Sequence, residues 1–266
     1  MRPLALAGSL SLDRVDGGRR RIGGGPYWGG RGLRLLSHPA RIVAKCARED
    51  RRELLPRLVA LGVPVTLWPG EATHAFAMSY DGDRRSMRVE AVGDPWQPDE
   101  LAGALAGVEA VHVAPLLRSD FSPETLAVAA RGRRLSLDGQ GLVRPGQTGP
   151  LELDRDFDPA LLEHVSVLKL AEEEAQAVVG EPTATALAEL GVPEVVVTLG
   201  ERGSIVYAGG KLERVDAYPI SPVDPTGAGD AFAVTYLAAR ADGHAPVAAA
   251  RRATAIVAAL LAGGAR

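Results

Sequence analysis

The sequence has little cysteine, few aromatic residues and no long apolar run. Cys46 is the single cysteine among 266 residues, which excludes an intrachain disulfide and a cysteine-rich metal site and suits a reducing compartment. The net charge of −3 gives no electrostatic footprint for nucleic acid or an anionic membrane. The longest apolar stretch, residues 253–262, is shorter than a bilayer-spanning helix. We therefore expect a soluble, cytoplasmic protein with neither a nucleic-acid nor a membrane partner.

Two common nucleotide-binding motifs are also absent. No Gly-x-Gly-x-x-Gly motif follows the first predicted strand, and no Walker A lysine motif occurs, which argues against a dinucleotide-dependent oxidoreductase and a P-loop enzyme. No two of the five histidines have the spacing of metal ligands, so a zinc enzyme is not expected. The arginines at 19–21 and 131–134 have acidic residues nearby, and this mixture indicates a solvated surface.

Short apolar runs alternate with helical segments along the chain. Residues 53–61 and 172–179 repeat apolar residues at helical spacing, and Ser122 before Pro123 is typical of a helix start. The strand-like runs cover residues 4–7, 41–44, 63–67, 110–114, 135–137, 165–170 and 194–199. This alternation predicts one α/β domain over residues 1–266, with a mostly parallel central sheet and helices on both faces.

Two stretches interrupt this alternation. Residues 73–80 and 86–92 alternate between apolar and polar side chains around the turn 81–83, which predicts a hairpin that projects from the parallel sheet as a flap. A second hairpin is predicted over 204–215, with its turn at two glycines. The Gly- and Pro-rich stretch 138–158 is predicted to be a loop.

The segment Asp224-Pro225-Thr226-Gly227-Ala228-Gly229-Asp230 leads directly into an amphipathic helix. Its glycines therefore lie at a helix N-terminus, where unpaired N–H groups and the helix dipole favour a phosphate. A purely anion-binding loop would not place a carboxylate there. Asp230 fits a base that takes a proton from an attacking hydroxyl, while the amides of Gly227, Ala228 and Gly229 stabilise the phosphoryl oxygens. The alternative is an ordinary turn followed by a helix-start carboxylate.

The same segment resembles the carboxy-terminal signature of the ribokinase-like (PfkB) family of carbohydrate and nucleoside kinases. Residues 195–204 are also similar to the family's strand and turn that hold the phosphates of ATP. The resemblance implies a three-layer ribokinase-like α/β fold and ATP-dependent phosphorylation of a hydroxyl on a small molecule. It makes Thr198, Gly200, Gly203 and Thr226 the candidate ATP-binding residues.

Residues 168–175 resemble the family segment in which an asparagine and, three residues later, a glutamate organise magnesium and phosphate. Glu174 matches the glutamate and is the candidate magnesium residue, acting through water, whereas Ala171 replaces the asparagine. Because Mg²⁺ keeps several waters and takes few protein ligands, the loss of one amide is compatible with binding. The alternative for Glu174 is an exposed helix charge. The implied cofactors are ATP and Mg²⁺, and a monovalent cation stays open.

The amino-terminal part carries the residues that the resemblance assigns to the substrate. Asp13 follows the first strand, and Gly24 and Gly25 precede a helix, as do the aspartate and the two glycines that bind substrate hydroxyls in the family. A carboxylate accepts hydroxyl hydrogen bonds, and glycine lets a polyol approach the backbone. Trp28 stands where many sugar kinases carry an asparagine, so it either stacks on a ring or packs beneath the loop. Asp138, at the end of another strand, either contacts the substrate or stabilises its loop.

Part of the predicted flap resembles a subgroup that includes inositol-type kinases. The matching positions are Tyr80, Asp81, Gly82 and Arg85, together with residues 137–144. Because residues 137–144 end a strand at the carboxyl edge of the predicted sheet, Arg144 is, like Asp138, a candidate to touch substrate or phosphate. The segment between residues 13 and 23 is short where relatives place lid strands, so we expect a reduced lid over about 11–22 and 71–92 that excludes water. Both a monomer and a homodimer stay open.

These patterns together predict transfer of a phosphoryl group from ATP to a hydroxyl of a sugar or an inositol. A nucleoside kinase of the same family is one alternative. A catalytically weak nucleotide- or sugar-binding relative is the other, and the intact Asp230 argues against it. The acceptor itself stays open, because all these compounds present hydroxyls to the same framework.

Overall fold

The computed structural model describes residues 3–36, 38–81, 84–220 and 224–263. Its strands are β1 (Leu4–Ser9), β2 (Ser11–Val15), β3 (Arg21–Gly23), β4 (Ala40–Ala47), β5 (Val65–Gly70), β6 (Ala75–Asp81), β7 (Arg84–Ala91), β8 (Ala110–Ala114), β9 (Arg134–Asp138), β10 (Gly149–Pro150), β11 (Val167–Ala171), β12 (Glu194–Thr198), β13 (Ser204–Ala208) and β14 (Lys211–Val215). Its helices are α1 (Gly25–Leu36), α2 (Arg51–Val59), α3 (Pro98–Ala104), α4 (Pro123–Ala130), α5 (Gln140–Val143), α6 (Glu172–Val179), α7 (Ala184–Ala188), α8 (Ala228–Ala241) and α9 (Pro246–Gly263).

Nine strands form the main sheet, in the order β14-β13-β12-β11-β9-β8-β1-β4-β5. The strands from β12 to β5 run parallel, whereas β13 is antiparallel to both of its neighbours. The central strands β1 and β8 are buried along their whole length, as expected when helices cover both faces of a parallel sheet. The predicted parallel sheet is therefore confirmed.

Helices lie on both faces of this sheet. On one face, α3, α4, α6 and α7 bury apolar side chains such as Leu101, Leu126 and Val178. On the other face, α1, α2, α8 and α9 do the same, with Leu33 and Phe232 among the buried residues. Alternate residues of each strand contact the two helical layers, because successive strand side chains point to opposite faces. The predicted three-layer arrangement is confirmed.

A second, smaller sheet contains five strands in the order β10-β7-β6-β2-β3. The predicted flap supplies β6 and β7, and β2 pairs with β6 in parallel. Phe76 and Val89 on this sheet pack against Leu116 and Leu117, which follow β8. The small sheet therefore leans over the carboxyl ends of the main-sheet strands.

The prediction that residues 138–158 form a loop is wrong in part. The short helix α5 and the two-residue strand β10 lie within this stretch. Pro150 pairs with Arg88 on the edge of β7, so the strand exists because an edge is available and not because Gly149 and Pro150 favour strands.

The last helix is long and apolar. α9 has 18 residues and a mean hydropathy of 1.3, and is by length and composition able to cross a membrane. The apolar run 253–262 in the sequence covers only its second half. Ala249, Ala250 and Ala253 on α9 share a buried cluster with Tyr236 of α8 and Val206 of β13, so one face of this helix packs into the core, while 22% of the helix is buried.

Candidate active site

The segment 224–230 forms the turn that begins α8. Gly227 precedes the helix with a φ of 80°, a conformation that glycine adopts without strain. A Cβ atom there would lie 2.6 Å from Cε3 of Trp28, so the turn packs directly on the indole. Asp224 steadies the turn, since its Oδ1 accepts a 2.9 Å hydrogen bond from the Thr226 N–H. The predicted anion site is thus the N-terminus of a long helix.

The three predicted anion-hole amides are not equivalent. The N–H of Ala228 donates to the carbonyl of Pro225 at 3.0 Å. Neither Gly227 N–H nor Gly229 N–H has a backbone acceptor among the described residues. Within the part of the chain that the structure describes, two of the three amides therefore have no backbone partner, whereas that of Ala228 is already used in the turn.

Asp230 lies in the first turn of α8, where it is half-buried and lines a cleft. A Cβ atom on Gly25, at the start of α1, would lie 3.2 Å from Oδ1 of Asp230. One on Gly32 would lie 3.1 Å from Cα of Ala231, so small residues on α1 allow α8 to approach closely. The structure thus brings the predicted base next to the predicted acceptor-binding backbone.

The electrostatic surroundings of Asp230 suit a proton acceptor. Burial, followed by the negative charge of Asp138, raises the pKa of this carboxyl to about 7, although Lys169 and Arg144 oppose the rise. A base with a pKa near 7 combines the deprotonated state with a useful driving force for proton transfer at neutral pH.

Three buried charged side chains share this region. Asp138, Lys169 and Glu174 are 0%, 4% and 2% exposed. Nζ of Lys169 lies 3.2 Å from Oδ2 of Asp138 and 3.9 Å from Oε2 of Glu174. Glu174 also caps α6, because its Oε2 accepts a 2.7 Å hydrogen bond from Ala171 N–H. The alternative that Glu174 is an exposed helix charge is therefore wrong.

The charges in this cluster depend on one another. Burial alone would lower the pKa of Lys169, but the carboxylates of Asp138, Glu174 and Asp230 outweigh it and raise the pKa above its usual value. Burial raises the pKa of Glu174, and Lys169 opposes this increase. Lys169 therefore stays protonated at neutral pH, held by the carboxylates around it.

The other end of the cleft contains Asp13, on β2. Its Oδ1 is buried and has no hydrogen-bond partner among the described residues. Burial raises the pKa of Asp13 to about 6, although the Ser11 hydroxyl, the Phe76 backbone, Arg144 and Arg21 oppose the rise. Gly24 is the first of the two glycines predicted to bind substrate hydroxyls. It has a φ of 95°, and a Cβ atom there would lie 2.4 Å from the carbonyl oxygen of Ser9. The turn into α1 therefore requires glycine.

One cleft of about 690 Å³ joins these two ends, a volume suited to a small molecule. Its polar wall includes Nε of Arg144, a buried atom with no hydrogen-bond partner among the described residues. Predicted site residues on its lining are Asp13, Gly24, Gly25, Trp28, Glu174, Thr226, Gly227, Gly229 and Asp230. Its apolar lining residues are Val15, Ile22, Phe76, Met78, Met87 and Leu116.

Three predicted ATP-binding residues lie outside this cleft. Thr198, Gly200 and Gly203 are not among the described residues that line it. Thr198 is the register neighbour of Ala171, which does line it. A Cβ atom on Gly203 would meet the Val215 carbonyl at 2.0 Å, so its turn packs against the end of β14. These residues form the next turn along the sheet edge, beyond the cleft wall.

Trp28 has two neighbours that define its position. Its indole packs on Gly227, and Cζ of Arg31 lies 5.3 Å from the ring centroid. The side chain also lines the cleft. Trp28 therefore supports the glycine turn from one side, as the packing alternative predicts, and still borders the ligand space.

Lys169 and Arg21 are among the charged residues of the cleft that were not predicted as site residues. Lys169 lines the cleft, and in the sequence it stands between Leu168 and Leu170 of an apolar strand. Because lysine is rarely buried without a charged partner, a lysine in such a strand is itself a signal of a buried charge cluster. Arg21 belongs to the arginine run that indicates a solvated surface, yet it also lines the cleft. The inositol-type pattern cannot be placed in the same way, because Gly82 lies outside the described residues and the side chains of Tyr80, Asp81 and Arg85 are not described.

A family model of pfkB carbohydrate kinases matches residues 71–263. The chain belongs to the pfkB family of carbohydrate kinases. This small-molecule kinase is 26% identical over 265 residues to a ribokinase of Bacillus subtilis (strain 168), a match covering 91% of this chain and 87% of that protein. It is 33% identical over 181 residues to an inositol 3-kinase of Zea mays, covering 66% of this chain and 45% of that protein.

The fold of this pfkB-family kinase is also similar to solved structures. The sulfate complex of a pyrophosphate-dependent kinase in the ribokinase family matches with a TM-score of 0.84 at 25% identity, covering 97% of this chain and 95% of that one. The predicted ribokinase-like fold and the predicted class of enzyme, a small-molecule kinase, are confirmed.

Proposed function

We propose that this kinase transfers the terminal phosphoryl group of ATP to a hydroxyl of a small carbohydrate or cyclic polyol, with Asp230 as the base. One observation carries the proposal. The carboxylate of Asp230 lies beside Gly25 in a cleft that holds a helix N-terminus at one end and Asp13 at the other. A hydroxyl bound by Asp13 and the glycine backbone is therefore placed between a base and an anion site.

The reaction is an in-line displacement. The acceptor oxygen attacks the terminal phosphorus, its proton passes to the Asp230 carboxylate, and the bond from phosphorus to the bridging oxygen breaks to release the diphosphate product. The N–H groups of Gly227 and Gly229 donate to the phosphoryl oxygens, and the dipole of α8 adds to this stabilisation. Ala228 contributes through the shape of the turn, since its own N–H is shared with Pro225.

The residues present suit a hydrated magnesium ion. Oδ2 of Asp138 is a buried acceptor whose partner among the described residues is the Lys169 ammonium at 3.2 Å, and Glu174 adds a second carboxylate. No group of three or more His, Cys, Asp or Glu side chains that could hold a metal occurs in the described part of the chain, which agrees with an ion held mainly through water. When bound, Mg²⁺ would neutralise charge on the donor phosphates.

A ring-shaped polyol suits the acceptor end of the cleft. Asp13 offers an unpaired oxygen to hydroxyls, and Phe76 and Leu116 offer an apolar wall that can cover a ring face. The similarity to an inositol 3-kinase over 181 residues supports an inositol before a nucleoside, because a base would need a larger flat surface.

Two compounds are candidates for the phosphoryl donor. ATP is the donor expected for the family, with Thr198, Gly200, Gly203 and Thr226 as its contacts. Pyrophosphate is the second candidate, because the cleft wall stops short of Thr198, Gly200 and Gly203 and a structurally similar kinase is described as pyrophosphate-dependent. A donor without a nucleoside would need only the space around Thr226 and Gly227.

The small sheet acts as the lid in this proposal. Its strands β2, β3, β6 and β7 supply one wall of the cleft, so movement of this sheet toward α8 would exclude water from the reacting groups. The predicted lid of residues 11–22 and 71–92 lacks only β10 from this sheet. We place the reaction in the cytoplasm, where Cys46 stays reduced.

The test is phosphoryl transfer by the native protein and by Asp230→Asn, measured with sugars, inositols and nucleosides. Each acceptor is assayed with ATP and with pyrophosphate, with Mg²⁺ and with K⁺ or Na⁺, because a monovalent-cation requirement is open. We expect an inositol or a sugar to be phosphorylated and Asp230→Asn to lower kcat at least about 100-fold. Asp242→Asn, at the other end of α8, is the control and should retain full activity.

Three outcomes decide between the functions. If the native protein phosphorylates no compound, the remaining function is that of a catalytically weak protein that binds a nucleotide or a sugar. Preference for a nucleoside would replace the polyol acceptor but keep the kinase. Activity of Asp230→Asn equal to that of the native protein would remove Asp230 as the base.

A further inference from the structure

Lys169 is a buried cation that the proposed mechanism does not yet use. It is the third residue of β11, directly opposite Asp138 in the register with β9. Its side chain is 6% exposed and points to the face of the sheet covered by α8, because Leu168 and Leu170 occupy the other face. Ala171, two residues along the same face, offers only a methyl group. Lys169 is therefore the cationic side chain that β11 presents toward α8.

A second buried lysine shows what full pairing looks like in this protein. Nζ of Lys45 lies 2.6 Å from Oε2 of Glu100 and donates to the carbonyl of Pro95 at 2.9 Å. By contrast, Nζ of Lys169 lies 3.2 Å from its nearest carboxylate oxygen and 3.9 Å from the next. The second distance is too long for a hydrogen bond. An ammonium has three N–H donors, so Lys169 keeps donors that the described side chains do not use.

The unused donors lie where a phosphoryl group would be. A Cβ atom on Gly229 would be 3.2 Å from Nζ of Lys169, so the ammonium rests against the first turn of α8. Lys169 lines the same cleft as Gly227, Gly229 and Asp230. A ligand oxygen bound to the Gly229 amide would therefore lie within reach of the ammonium.

We propose that Lys169 is a catalytic residue, whose ammonium donates to the oxygens of the phosphoryl group as it moves from donor to acceptor. This inference rests on the proposed kinase function. Lys169 keeps its proton throughout: the acceptor O–P bond forms, the P–O bond to the leaving phosphate breaks, and the acceptor proton goes to Asp230. The carboxylates of Asp138 and Glu174 hold the ammonium in place, so a fixed charge meets the phosphoryl group without reorganisation.

The experiment compares Lys169→Ala with Lys45→Ala, which removes an equally buried lysine outside the cleft. Phosphoryl transfer, the melting temperature and the acceptor KM are measured for both and for the native protein. Lys169→Ala should lower kcat by about 100-fold or more, with little change in acceptor KM. Methylammonium, at constant K⁺, should restore part of kcat in Lys169→Ala and none in Lys45→Ala, because it refills the space left by the ammonium.

The outcomes separate this inference from the proposed function. A native protein without turnover would refute the kinase proposal itself. An active native protein with Lys169→Ala within about 3-fold of its kcat, or with a loss matched by Lys45→Ala and no methylammonium rescue, would refute the role of Lys169 alone. If Lys169→Ala does not fold, Lys169→Met, which keeps the volume, replaces it. Failure of both variants to fold would assign Lys169 to the core and overturn the proposal.

Discussion

At the scale of single residues, Asp230 is held in a state that costs stability. Its pKa rises from 3.8 to about 7 in the folded protein, mainly through burial. A raised carboxyl pKa means that ionisation is easier in the unfolded chain, so Asp230 destabilises the fold above its folded pKa and not below its unfolded pKa. A residue that weakens the fold while facing a cleft is typical of a functional site.

Asp230→Asn should therefore be more stable than the native protein at alkaline pH. We expect an increase of a few kcal/mol in the free energy of unfolding at about pH 8, shrinking toward zero near pH 4. Urea denaturation at both pH values measures it. Asp242→Asn, at the carboxylate that follows α8 and lies 3.4 Å from Nε2 of His38, should show no such gain, and a loss of stability in Asp230→Asn at pH 8 would contradict the assigned environment.

The sequence predicted some residues of the site better than others. Asp230 could be identified because a carboxylate is chemically out of place in a glycine-rich helix start, and that anomaly is local. For Lys169 the sequence offered only a weaker signal, a lysine within an apolar strand, because its neighbours Asp138 and Gly229 are distant in sequence and only the sheet register and the packing of α8 bring them to its ammonium. Charged clusters assembled by tertiary packing leave only weak signals in a single sequence.

At the scale of elements, the turn before α8 depends on a glycine for two reasons. Gly227 has a positive φ, and a side chain there would collide with Trp28. Gly62, at the end of α2, has a φ of 72° but no atom within 4 Å of its would-be Cβ. A substitution of Gly62 therefore introduces backbone strain alone, whereas a substitution of Gly227 introduces both strain and a collision.

Gly227→Ala should destabilise the protein more than Gly62→Ala. We expect about 1 to 2 kcal/mol for Gly62→Ala from strain, and about 1 to 3 kcal/mol more for Gly227→Ala from overpacking. Urea denaturation measures both, and phosphoryl transfer should fall only in Gly227→Ala. Equal losses of stability would show that Trp28 yields without cost.

The cleft wall formed by β6 and β7 is predicted to determine which acceptors bind. Met78 and Met87 are direct cross-strand partners and both line the cleft. Methionine is flexible and apolar, so the pair should select acceptors by shape. Met78→Ala and Met87→Ala should each raise the KM of the preferred acceptor about 10-fold and improve turnover of bulkier ones.

The control for this wall lies on the same two strands. Ser79 and Ser86 are also cross-strand partners, one residue away, and neither lines the cleft. Ser79→Ala should leave the acceptor range unchanged. An unchanged range in both methionine variants would place the acceptor away from the small sheet.

Element boundaries show where sequence periodicity reaches its limit. The run 110–114 matches β8, and 172–179 matches α6, because each is flanked by residues that end the pattern. The run 63–67 begins before β5, which starts only after Pro64 and continues to Gly70. β10 gave no signal, since its pairing depends on the edge of β7 and not on its own residues.

At the scale of the whole molecule, the cleft has separable ends. Asp13 lies on the small sheet and the glycine turn before α8 lies on the helical layer of the main sheet, so the proposed acceptor and donor contacts belong to different parts of the protein. A ligand at about 100 times its Kd adds about 2.7 kcal/mol to the free energy of unfolding. Thermal shifts can therefore report each end alone.

Asp13→Ala should abolish the thermal shift caused by the acceptor and keep the shift caused by the phosphoryl donor with Mg²⁺. Asp230→Asn should keep both, because its defect lies in proton transfer and not in binding. Differential scanning fluorimetry with each ligand measures this. If Asp13→Ala loses the donor shift as well, the two ends are coupled or the variant is misfolded, and circular dichroism separates these cases.

The position of β1 in the main sheet has a consequence for how the chain folds. β1 lies between β4 and β8, and its partners on the β8 side, residues 110–114, follow it by about a hundred residues. During synthesis, the edge of β1 that pairs with β8 therefore stays without hydrogen-bond partners until β8 has left the ribosome. Closing such a long loop slows folding, so this is the stage at which a chaperone that covers apolar strand edges would act.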